Sequence, residues 1–306
     1  MAKAVNAAPP RPERRLYALG LRLFGVSCLS IMAVLIKLAS DHGISTPEMM
    51  FWRQTFAVPV VAIFVAATVG FSSLRTDKFG LHASRAVFGL IAMALTFSSY
   101  IMLPLAEATT LGFTVPIFAT ILAALILREP TGWHRWGAVL AGFVGVLIVV
   151  QPGSDHIPAI GVAVGLSSAF LIGCMTLILQ QLGKTEAAGT TVFYFSLLSV
   201  PVLAPFLIWF GSSHDMTGWL LLISIGMIGG IGQIAFTASL RWAPISVVVA
   251  MDYISLLWST IFGYLVWNHL PSAATWIGAP IIIFSGLYIA AREHRLQIER
   301  NKEITP

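Results

Sequence analysis

Apolar residues along this chain gather into runs of about 20, the length a helix needs to cross roughly 30 Å of hydrocarbon. Short polar connections separate them, and the pattern predicts ten spans, at 17–40, 47–70, 84–104, 107–127, 133–151, 158–181, 190–210, 217–240, 244–267 and 272–291. The connections carry turn residues, as in Asp41-His42-Gly43, Gln151-Pro152-Gly153 and Leu270-Pro271. The third and fourth spans nearly touch, divided only near Pro104. The expected fold is therefore an all-α integral membrane bundle.

Composition agrees. Hydrophobic residues make up 57% of the 306 positions and charged residues 10%, against roughly 25% charged in soluble domains. No polar stretch is long enough for a soluble domain. Cys28 and Cys174 both fall inside apolar runs, where reduced, buried thiols are expected rather than a disulfide or a metal site. The net charge of +5 does not point to nucleic acid, because the basic residues sit at span edges. The first residues, with Pro9, Pro10 and Pro12 and no cleavage-site pattern, read as a tail before a retained helix.

Positive charge marks cytoplasmic connections. One alternating set of connections and tails holds Lys3, Arg11, Arg14, Arg15, Arg75, Lys78, Arg85, Arg128, Arg135, Lys184, Arg241, Arg292, Arg295, Arg300 and Lys302. The other set holds no lysine or arginine; it carries Asp41, Glu107, Asp155 and Asp215. This segregation predicts an even number of spans with both termini cytoplasmic.

The halves repeat. At an offset of 141, Trp136-Gly137-Ala138 recurs as Ile277-Gly278-Ala279, Pro130 as Pro271 and Gly145 as Gly286; at 142, Val58-Pro59-Val60 recurs as Val200-Pro201-Val202. A five-span unit must insert its second copy upside down, the inverted plan of many secondary transporters. The expected organisation is a tail over 1–16, a first repeat over 17–151, an external linker over 152–157, a second repeat over 158–291 and a tail over 292–306. Rows of small residues, such as Gly161, Gly165, Ala169 and Gly173, or Gly137, Ala141 and Gly145, predict close helix packing.

Lys37 closing the first span, Phe51-Trp52-Arg53 opening the second, and Glu129-Pro130 followed by Trp136-Gly137 opening the fifth resemble the drug/metabolite transporter superfamily, specifically proteins with two EamA-type repeats. The resemblance covers roughly 18–151 and 158–291. The second half departs from the pattern. Phe195 stands at the position equivalent to Arg53, Leu270 beside His269 replaces the glutamate before the last span, and Asp252-Tyr253 stands where Glu-Pro is usual. The resemblance implies a central cavity surrounded by the first, third, fourth, sixth, eighth and ninth spans. It also implies small organic substrates. Bacterial amino-acid exporters are similar in length and plan, so the specific expectation is export of amino acids, aromatic ones foremost, across the inner membrane. A purine or nucleoside, S-adenosylmethionine or a drug-like amine is the alternative.

Charges inside a bilayer are costly, about 2.5–3.5 kcal/mol each on insertion scales. Lys37 either snorkels to the headgroups or lines the cavity with Ser27, Ser30 and Val34. Arg53 either holds carbonyls or a carboxylate between helices, or binds a substrate carboxylate. Asp252 heads a polar stripe with Ser255 and Ser259, next to Tyr253; it either couples protons, binds a substrate ammonium, or locks two helices together. Three further stripes complete an amphiphilic pocket: Thr96 and Tyr100 on the third span, Thr109, Phe113 and Pro116 on the fourth, and Gln233 and Thr237 on the eighth. Trp219, Trp242, Trp267 and Trp276 read as interface anchors.

An intramembrane enzyme would need a His-Glu-x-x-His, a Gly-x-Ser-x-Gly elbow or paired aspartates. The sequence contains none, and the histidines, at 42, 82, 134, 156, 214, 269 and 294, fall outside the predicted spans apart from His134, at the edge of the fifth. No cofactor, metal or nucleic acid is expected, only a small-molecule substrate and the lipid bilayer, for a monomer or a homodimer.

Overall fold

The computed structural model describes residues 15–126, 133–152, 157–183, 185–240, 242 and 248–304. Regular structure among them is entirely helical: α1 (Arg15–Asp41), α2 (Thr46–Thr68), a 3-10 turn (Phe71–Leu74), α3 (Phe79–Met102), α4 (Leu105–Gly112), α5 (Val115–Ile126), α6 (Trp133–Val150), α7 (Ala159–Gly183), α8 (Ala188–Leu203), α9 (Leu207–Phe210), α10 (Met216–Ser239), a 3-10 segment (Val249–Tyr253), α11 (Ile254–Trp267) and α12 (Ala273–Ile304). Among the described residues nine segments are long and apolar enough to cross a membrane, with α4 and α5 counted as one. The ninth predicted span, 244–267, begins outside the described residues; its remainder is the 3-10 segment and α11.

Local chemistry sets the boundaries. The Ser45 hydroxyl caps α2 by accepting from Glu48 N, and Asp215 caps α10 by accepting from Gly218 N at 2.8 Å. The fourth span breaks between α4 and α5. Phe113 N donates only three residues back, to Thr110 O, and Pro116, which has no N–H, occupies the first turn of α5.

Three expectations need correction. α3 begins five residues earlier than the predicted 84, so His82 lies buried inside a helix instead of in a polar connection, and Arg85, counted with the connection charges at the edge of the predicted span, is buried a turn and a half into it. Arg135, counted with the connection charges at the edge of the predicted fifth span, is buried in α6. α12 continues to Ile304, so the expected C-terminal tail is largely helical. The Glu129-Pro130 pair and Lys3, Arg11, Arg14, Arg128, Asp155, Lys184 and Arg241 lie outside the described residues.

The two halves interleave. α1 packs along α10, α3 along α7, α6 along α12, and α2 along both α8 and α10. Each of these pairs joins the first half of the chain to the second. Exchanging the halves turns α1–α10 into α7–α3, and α2–α10 into α8–α3, a pair that also packs. Small residues permit the approach: a Cβ on Gly25 of α1 would stand 2.7 Å from Phe236 N of α10, and one on Gly278 of α12 would stand 2.6 Å from Gly145 O of α6. Large apolar side chains such as Ile63, Leu125, Trp209 and Phe284 face outward, as lipid contact requires.

Two buried carboxylates tie the halves at the end where α1 finishes. Glu48 accepts from Ser212 N and Oγ and lies 2.7 Å from His214 Nε2. Glu107, in the first turn of α4, accepts through Oε1 from Ser272 N (3.2 Å) and Thr275 Oγ1 (3.1 Å).

Candidate functional site

The two irregular segments, one in each half, meet inside the bundle. At the break in the fourth span, Phe113 packs edge-to-face on Tyr253, which closes the 3-10 segment, with ring centroids 4.9 Å apart. The Tyr253 hydroxyl is buried without a hydrogen-bond partner and lies against Gly286. Thr120 donates to Pro116 O (2.9 Å), and Ser255 and Ser259 donate to the carbonyls of Asp252 and Ser255, so these hydroxyls and the Pro116 carbonyl are already engaged.

Asp252 is not the lone carboxylate that its apolar surroundings predict. Arg22 of α1 grips it bidentately, Nε to Oδ1 and Nη2 to Oδ2, both at 2.6 Å. The same guanidinium donates to Phe236 O (3.1 Å) and lies 3.3 Å above the Phe236 ring. The pair thus ties α1, α10 and the 3-10 segment together near the N-terminal end of α1. Sequence reasoning missed Arg22, although an arginine inside the first apolar run was its one available signal.

Fifteen residues further along α1, or about 22 Å at 1.5 Å per residue, Lys37 lines a cleft of about 200 Å³ with Pro104, Glu107, Ser259, Gly263, Trp267 and His269. Its ammonium donates to Leu103 O at 2.6 Å and stands 5.7 Å from the Trp267 ring. The wall of this cleft includes none of Ser27, Ser30 and Val34, the residues expected to line a cavity with Lys37. Glu107 enters the cleft wall with Oε2 buried and unpartnered, a role hidden while it read as a connection residue. Trp267, read as an interface anchor, also belongs to the wall and donates to Asp41 Oδ2 (2.9 Å).

Between the two ends lies Arg53, 5% exposed, with one hydrogen bond, from Nη1 to Gln54 Oε1 (2.9 Å). Its guanidinium carbon stands 5.9 Å from the Phe195 ring centroid, and that of Arg85 stands 4.6 Å from the same centroid. Arg85, 2% exposed, donates from Nη1 to Thr191 O (3.1 Å). Thr96 bridges α3 to α7 through Ser168 Oγ at 2.6 Å, and Tyr100 packs where three hydrophobic clusters meet. The Thr237 hydroxyl turns back to Gln233 O within α10, and Thr109 and Gln233 are half-buried; none of the three is drawn into these groupings.

Interleaved halves, a multi-pass apolar surface and two broken helices in contact fit the plan of a membrane transport protein. The profile of the EamA-like transporter family matches residues 16–151 and 159–291, and the chain belongs to that family, part of the drug/metabolite transporter superfamily. It is similar to the riboflavin transporter of Vibrio cholerae, at 28% identity over 93% of this chain and 96% of the relative. It is also similar to the pseudopaline exporter CntI of Pseudomonas aeruginosa, at 27% over 83% and 89%. The S-adenosylmethionine uptake transporter of Rickettsia bellii shows 25% identity over 91% and 96%. A protein of solved crystal structure superposes with a TM-score of 0.60 at 18% identity over 90% of this chain and 98% of its own, a likeness of fold.

Proposed function

We propose that the protein is a secondary transporter that exports small organic metabolites across the bacterial inner membrane by alternating access, with aromatic amino acids as the first candidates. The observation that carries this reading is the asymmetry of the bundle. The Arg22–Asp252 pair closes one end, the Lys37 cleft lies toward the other, and the broken helices meet between them. With both termini in the cytoplasm, the pair is an inner gate and the cleft faces outward. Asp252 in this state is half of a lock, not a free carrier of protons or of a substrate ammonium.

The exchange-related packing pairs support two inverted five-helix repeats, bounded as 17–151 and 158–291, with the segment 244–267 as the tenth span. The cleft's chemistry supports a solute that carries an ammonium and a flat side chain, the ammonium for the second carboxylate oxygen of Glu107 and the Trp267 ring for stacking. A flavin is the second reading, favoured by the name of the Vibrio cholerae relative.

The test is efflux from proteoliposomes of purified protein loaded with radiolabelled phenylalanine, tryptophan or riboflavin, with and without a pH gradient. Either amino acid leaving faster than from protein-free liposomes supports the first reading; riboflavin alone doing so replaces it with the second. If none of the three moves under any gradient, both readings fail.

A further inference from the structure

Arginine carries five N–H donors and does not lose its charge in proteins. Arg53 and Arg85 each spend one nitrogen on a neutral oxygen, Gln54 Oε1 and Thr191 O, and the Nε of each is buried with no partner. Among the described residues neither arginine forms an ion pair, and the acids nearest the bundle interior are committed elsewhere: half-buried Asp252 to Arg22, buried Glu48 to His214 and buried Glu107 to the start of α12. Burying a charge without a counter-charge is strongly unfavourable, and burying two beside one phenyl ring compounds the cost through like-charge repulsion.

Depth adds a second constraint. Arg53 lies seven residues into α2 and Arg85 six residues into α3, the next span, which runs the other way. The two side chains thus approach from opposite ends and meet at Phe195, midway along α8. Phe195 is also the position that stands to the second half as Arg53 stands to the first, so equivalent positions of the two halves face each other here. A Cβ on Gly229 of α10 would come within 3.5 Å of Arg53 Nε, which puts this guanidinium between the halves and away from lipid.

We infer that Arg53 and Arg85 form the anion-recognition site of the transported solute, taking a carboxylate or phosphate between the two guanidiniums while a flat apolar body packs on Phe195. This rests on the transporter reading and narrows its substrates to organic anions and zwitterions. The cargo supplies the counter-charge, so its binding offsets the cost of the two buried guanidiniums.

Calorimetric titration of the purified full-length protein in detergent tests this, with benzoate, phenyl phosphate and inorganic phosphate as probes and benzyl alcohol as the neutral control. Benzoate or phenyl phosphate is expected to bind saturably, more weakly at high salt. Arg53→Met and Arg85→Met should each weaken binding by about tenfold or more, because a bidentate charge-assisted contact is lost. Should either fail to fold, Arg53→Lys and Arg85→Lys, which keep the charge but not the planar fork, carry the test with a loss of about threefold or more. The inference is overturned if no anion binds better than benzyl alcohol or if the variants bind like the wild type. Inorganic phosphate binding as tightly as phenyl phosphate would equally overturn it, as the mark of a structural ion. Failure here is separable from failure of transport: amino-acid efflux that survives both methionine variants refutes this site alone, and tight anion binding by a protein that moves nothing refutes the transport reading alone.

Discussion

Two buried arginine sites in this bundle differ in one respect. Arg22 meets a carboxylate with both ends of its fork, whereas Arg53 and Arg85 meet none. A satisfied pair is a local minimum, good for holding helices together. An unsatisfied pair is a standing cost that a ligand can remove. The chain therefore separates closure from recognition by where it places its acids: Asp252 on the segment facing Arg22, and Phe195 where an ion partner for Arg53 or Arg85 would have sat.

The comparison can be strained most severely at the satisfied pair. Arg22→Ala strands an aspartate whose side chain is only a quarter exposed and should destabilise the protein by about 3 kcal/mol, the low end for a buried pair, read from chemical unfolding in mild detergent micelles. Replacing both partners, Arg22→Leu with Asp252→Leu, should recover most of that loss in the same assay. At the unsatisfied site the sign reverses. Arg85→Met removes an uncompensated charge at similar length and should stabilise by about 1–4 kcal/mol while weakening anion binding. A destabilisation of that size instead would mean that Arg85 is held for the Thr191 carbonyl. The smallest effects come from packing. Gly278→Ala, whose new methyl would meet Gly145 O and Val149 at 2.6 Å, should cost about 1–3 kcal/mol. Gly137→Ala, facing open space, should stay within about 0.5 kcal/mol.

Much of the fold was legible because bilayer thickness imposes a length on every apolar run, and because repeats leave matched spacings such as Pro130 and Pro271. Individual sites were less so. Asp252, Lys37, Phe113 and Tyr253 stood out as polar or aromatic residues at the right helical spacing, and three of them sit at the lock or at the helix breaks. Arg22, Arg85 and Glu107 did not, because each lies within two turns of a helix end, where a charge is expected on topological grounds alone. Nothing in a linear pattern says that such a side chain turns inward to a partner more than 100 residues away. One small-residue row shows the same limit: Gly137 and Gly145 share a stripe, yet of these two only Gly145 meets another helix closely.

The central claim is that the satisfied pair is the gate and the unsatisfied arginines are not. The most direct measurement is maleimide labelling of Thr96→Cys, with Cys28 and Cys174 replaced by alanine, using an impermeant reagent applied from the side of the α1 N-terminus in proteoliposomes. Labelling should be slow in this background, at least about tenfold faster when Arg22 and Asp252 are both leucine, and unchanged by Arg85→Met. Equal labelling with and without the pair, or acceleration by Arg85→Met, would contradict the account.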